Sequence, residues 1–177
     1  MLYQPPAKMT ELCKPLHPLV FNCLWCLSHP QVHTLSIGAA KPSDFDLQLT
    51  SLDLLEQTAE LLPQIDQQLC AAMAEAVGAD VADRYDQGLP HWEETPGLLN
   101  VAMVLWLRNL ALGWGLVDYA KMRYNLLGNG GTWFAGLHAR YLEDFDITAS
   151  IRKSPFADQI PGWLAEARQR LECVHQV

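Results

Sequence analysis

Cys23-Leu24-Trp25-Cys26 carries the C-x-x-C spacing of thiol oxidoreductases. That chemistry needs its first thiol at a helix N-terminus, where the backbone dipole favours the thiolate. Both cysteines instead fall inside an apolar run and read as buried thiols acting as small hydrophobes. A zinc ion would need more ligands, and His29 and His33 flank Pro30 and cannot share one helical face, so no metal is expected. Gly128-Asn129-Gly130-Gly131 has no strand before it and no Lys-Ser/Thr after it, so it reads as a turn and not as a phosphate loop. Glu93-Glu94 and Asp144-Phe145-Asp146 bring carboxylates together, but in an acidic chain such pairs read as a solvated face. No Ser/His/Asp set can be assembled, and no catalytic residue is expected. Ile37-Gly38-Ala39-Ala40-Lys41-Pro42-Ser43 carries more: a strand end, a glycine that permits close approach, a cation at Lys41 and a helix start whose free amides can hold an anion.

The elements that position these residues are nearly all helical by pattern. A Pro-rich lead opens into a helix over 7–14, halted by Pro15. Pro18 suits a first helical turn, and 19–28 is an apolar helix ended by Pro30. Val32-His33-Thr34-Leu35-Ser36-Ile37 then alternates apolar and polar residues up to Gly38 and predicts the one convincing strand, whose edges need partners. Ser43 followed by Asp46 resembles a capping box, with Phe45, Leu49, Leu52 and Leu55 at helical spacing behind it, and predicts a helix over 43–60. Pro63 restarts a helix through Val77, closed by Gly78, with a shorter one over 79–86 and turn chemistry over 88–97. Helices follow over 98–114 and 116–127, and a last one over 160–173 begins at Pro161. Residues 98–117 are largely apolar, yet Arg108 at the middle makes them a buried central helix and not a membrane span.

Composition narrows the partners. A net charge of −8 repels phosphate backbones and anionic bilayers, so neither nucleic acid nor membrane is an expected ligand. Five scattered cysteines and no secretory leader predict reduced thiols and a cytoplasmic location. Charged residues make up 18%, below the ~25% of ordinary domains, which leaves apolar surface for a partner.

Taken together, residues 18–48, an apolar helix followed by HPQVHTLSIGAAKPSDFDLQL and the next helix, resemble the end of an aldo/keto reductase barrel. The resemblance implies that Gly38 and Ala39 approach NADPH by their backbone and that Lys41 meets its adenosine 2′-phosphate. Asp44 and Gln48 stand where that family usually has Gln and Asn. Asp44 is acidic beside the phosphate, so weak or no NADPH binding is expected. The remainder is similar to the helical tail of bacterial members that append a ferredoxin-type domain. There the cluster spacings fall on Asp86, Leu89, Trp92 and Thr95, then on Asp144, Ile147, Ser150 and Ser154, none of them cysteine, so no iron–sulfur cluster is expected. RYNLLGNGGTWF and SPFADQIP resemble cyanobacterial members whose tails have lost their clusters.

The fold this implies is mainly α: residues 1–60 as the one-strand C-terminal remnant of a TIM-type (β/α)8 barrel, and 61–177 as a helical tail. The family's Asp, Tyr, Lys and His tetrad comes from early strands, which a barrel of ~250 residues places upstream of Met1. The chain is therefore expected to be a truncated oxidoreductase portion, inactive alone. The alternative is a non-catalytic helical module that meets another protein chain through the Leu19 to Trp25 face and the strand edges.

Overall fold

Prolines and glycines divide the chain into short helices, and the computed structural model, which describes residues 4–128, 135–139 and 144–173, is mainly helical. The helices are α1 (Ala7–Leu12), α2 (Pro18–Leu27), α3 (Asp46–Asp53), α4 (Thr58–Val77), α5 (Ala79–Arg84), α6 (Val101–Trp114), α7 (Val117–Tyr124), α8 (Thr148–Ile151) and α9 (Ile160–Leu171). Two compact units result, Met1–Ala72 and Met73–Val177, with the boundary inside α4.

In the first unit α2 starts where His17 Nδ1 accepts a hydrogen bond from the Leu19 amide and Pro18 opens the first turn. It packs against α3. Two expectations fail here. Residues 32–37 form no strand: they run as irregular chain with His33, Thr34, Ser36 and Ile37 exposed. Alternation fits a half-buried strand, but a strand exists only when a neighbour takes its amides and carbonyls. The helix expected over 43–60 is also broken. Pro42–Phe45 and Leu55–Gln57 are 3-10 turns, and Leu54 leaves helical geometry at φ −105°, ψ 0°. Its start is set not by Ser43 and Asp46 but by Asp44, which reaches back to the amides of Ala40 and Lys41.

The second unit is built on α6, which packs against α7 and α9. Its apolar sequence buries Val101, Val104, Leu105, Leu107, Leu110 and Ala111, as expected of a central helix. Asn100 caps it by accepting from the Met103 amide, and Gly115, at φ +72°, ends it in the left-handed turn that glycine adopts without strain. From α9, Ile160, Leu164, Ala167 and Leu171 complete this core at i, i+4, i+7, i+11 spacing. A lone parallel bridge, Leu99 to Leu137, is the β-pairing found among the described residues. Of the glycine-rich turn expected at 128–131, residues 129–131 lie outside the described residues.

Arg108, expected at the middle of an apolar helix, is buried and held by charge. Its Nε donates to Glu166 Oε2 at 2.6 Å, a terminal guanidinium nitrogen donates to Asn109 Oδ1 at 3.0 Å, and its plane sits 5.3 Å from the Trp163 ring centre. No helix among the described residues is long and apolar enough to cross a membrane.

Candidate functional site

The loop expected to grip an anion begins in irregular chain and ends in the Pro42–Phe45 turn. Lys41 is extended, at φ −144° and ψ 158°, as the proline after it requires. The sequence therefore turns sharply at Pro42 and points the amides of residues 40 and 41 to one spot. The Asp44 carboxylate fills that spot: its Oδ2 accepts from Ala40 N at 2.9 Å and from Lys41 N at 3.2 Å. These are charge-assisted bonds, the stronger kind. They use the donors a phosphate would need and place a negative charge there.

Among the residues read from the sequence, the structure thus brings Ala40, Lys41 and Asp44 together. It does not bring the others to the same spot. Gly38 and Ala39 are exposed, and a Cβ added at Gly38 would meet nothing within 4 Å, so no cradle surrounds that glycine. Gln48 is turned inward on α3 and is buried. As arranged, these side chains do not fit the 2′-phosphate of NADPH, because Asp44 competes for the amides and repels the anion.

The other candidates read as structure. Cys23 is buried in α2, one turn past its start. Burial, and then the neighbouring Cys23, push the Cys26 thiol above its usual range, opposite to what thiol exchange needs. Burial pushes Cys13 up to about 11. The Asp146 carboxyl lies below its usual range because the Thr148 side chain and amide donate to it, an arrangement that opens a helical turn. Glu93 lies 3.5 Å from His91 Nδ1, and both are exposed. Among the described residues no group of three or more His, Cys, Asp or Glu converges on a point.

The partner surface expected on α2 is occupied. Leu19, Val20, Phe21, Cys23 and Leu24 are all buried, while Asn22 and Trp25, the latter at 43% exposure, are open. Residues 32–37, which form no strand, present no strand edge. In the first unit, apolar side chains are also exposed on α3 and the turns beside it, at Phe45, Leu49, Leu52 and Leu55. Sequence reasoning grouped these four by helical spacing, but spacing does not say which way a face points. Comparison with protein-family models, with characterised proteins and with solved structures finds no match for this chain.

Proposed function

We propose that this chain is the C-terminal portion of an aldo/keto reductase-like, NADPH-dependent oxidoreductase and that it has no turnover of its own. One observation carries this reading. Residues 32–39 keep the alternation and the Gly-Ala ending of a last barrel strand between two packed helices, yet have no ladder. A segment patterned for a sheet and left irregular is one whose neighbouring strands come from outside the described residues. On this reading the chain contributes a wall beside the nucleotide, and none of its residues transfers a proton or a hydride. The Asp44 contact supports weak nucleotide binding.

The test compares NADPH with NADH. Asp44→Ser removes the competing charge, so it is expected to tighten NADPH binding by tenfold or more while leaving NADH unchanged, as read by calorimetry on the full chain. Equal changes for both nucleotides, or none for either, overturn the assignment of this loop. Carbonyl-dependent NADPH oxidation by the purified chain would overturn the claim that it is inactive. A second reading, a helical interaction module, is favoured by a separate observation, the outward apolar stripe of α3.

A further inference from the structure

Helix α3 buries two polar residues and exposes two leucines. The residues it buries are polar, Gln48 at 7% and Ser51 at 1% exposure, and Ser51 Oγ has no hydrogen-bond partner among the described residues. Beside the exposed Asp46, Thr50 and Asp53 it also exposes Leu49 and Leu52, at 56% each, with Phe45 at 45% in the turn before it and Leu55 at 37% in the turn after. Burying an apolar side chain is favourable and burying a hydroxyl without a partner is not, so a free-standing helix would face the other way. Phe45, Leu49 and Leu52 follow one another at four and three residues, the spacing of a seam that packs against a second helix.

The charges around this seam select its occupant. Within α3, Asp46 lies three residues before Leu49 and Asp53 four residues after it, so both exposed carboxylates border the stripe, and the exposed Glu56 lies in the turn that follows. After Lys41, up to Ala72, the sequence has six carboxylates and no Lys or Arg. A second copy would bring the same acidic border against itself, and like charges facing each other across a seam are unfavourable. A border of one sign fits a partner of the other.

We propose that the Phe45, Leu49, Leu52 and Leu55 face docks an amphipathic helix of a partner protein whose apolar stripe is flanked by Lys and Arg. This deepens the interaction reading and does not depend on the reductase reading, whose test is nucleotide selectivity. The mode is helix against helix, with the apolar stripes supplying affinity and the basic flanks selecting the partner.

The experiment titrates the full chain with three synthetic 20-residue peptides. The first has leucines at seam spacing flanked by lysines, the second has glutamates in place of the lysines, and the third is the first peptide scrambled. The lysine-flanked peptide is expected to bind at least tenfold tighter than either of the others and to weaken severalfold as salt rises from 0.05 to 0.5 M. Leu49→Glu, at an exposed position, is expected to lose at least tenfold in binding with an unchanged helical circular dichroism spectrum. Leu52→Glu serves as the second variant should the first alter that spectrum. Equal binding of the scrambled peptide would reduce the effect to bulk charge, and equal binding of the glutamate peptide would overturn the partner's chemistry. Unchanged binding by both variants would overturn the location. A concentration-dependent dimer in sedimentation that Leu49→Glu abolishes would make a second copy the occupant and overturn the proposal.

Discussion

Replacing Glu166 by alanine tests how the second unit tolerates a charge in its core. Arg108 is 8% exposed and its shortest bond is the 2.6 Å contact to Glu166, so the substitution leaves a guanidinium buried with only Asn109 and the Trp163 ring for company. Breaking one partner of a buried pair costs about 3–5 kcal/mol. Glu166 itself is 29% exposed, which lets water reach the gap and brings the expected loss below that range, to about 2–3 kcal/mol. Glu166→Gln keeps an acceptor and is expected to lose about 1 kcal/mol. Arg108→Met with Glu166→Leu removes both charges together and is expected to lie within about 1 kcal/mol of the unaltered chain. The assay is urea unfolding followed by tryptophan fluorescence and circular dichroism. Burial pushes the Glu166 carboxyl up, but the bonds and charges of Arg108 and then Arg170 outweigh it and hold the group below its usual range. A lowered folded-state pKa gives stability that is fully present above the unfolded value, about 4.3, and is lost as pH falls through the folded one. The unaltered chain is therefore expected to lose more stability on acidification through that window than Glu166→Gln does. A Glu166→Ala loss under about 0.5 kcal/mol, or a double variant as unstable as Glu166→Ala, would show that the pair is not what satisfies Arg108.

Three further outcomes follow from single contacts. With an aromatic disulfide reagent at neutral pH, the exposed Cys70 and Cys173 are expected to react in a fast phase and the buried Cys13, with its pKa near 11, only on unfolding; uniform rates would contradict the burial pattern. Gly136 has φ +85°, and a Cβ there would lie 2.8 Å from the Leu98 carbonyl oxygen, so Gly136→Ala is expected to cost about 1–3 kcal/mol in urea unfolding, and a neutral effect would refute that geometry. Ser51→Ala removes a buried hydroxyl that has no partner among the described residues and adds helix propensity, so a gain of up to about 1 kcal/mol is expected and a loss of that size would mean that the hydroxyl is bonded.

The helices were legible where the chain punctuates itself. Pro18 and Pro161 open α2 and α9, and Gly78 and Gly115 close α4 and α6 in backbone conformations that few other residues adopt. These signals act within a turn of the residue that carries them, so sequence suffices. Residues 32–37 show the opposite case. Their alternation is a statement about neighbours, and a ladder cannot be read from one of its members. The start of α3 was misplaced for a local reason: two acids, Asp44 and Asp46, compete to cap it, and the amides of residues 40 and 41 lie within reach of the first. The anion site was legible as a loop but not as an occupied one, because the occupant is a side chain four residues on.

The errors converge on one stretch. Between Val32 and Leu55 the sequence offers an alternating run with no ladder and an apolar stripe with no cover, while Gln48 and Ser51 are buried in its place. Propensity and packing agree through most of the chain, as they do in α6 and α9, and consistency of that kind is what lets a sequence specify one structure. Where they disagree over some twenty consecutive residues, two patterns of different period have both gone unsatisfied. A single misfitting side chain explains neither. The two needs differ: an alternating segment needs strands beside it, and the helix after it needs something apolar against Leu49 and Leu52. The peptide and nucleotide experiments test these two needs independently. Selective binding of a basic amphipathic helix would support a partner on the Leu49 and Leu52 stripe, and an NADPH-specific response at Asp44 would support the nucleotide reading of the loop before it.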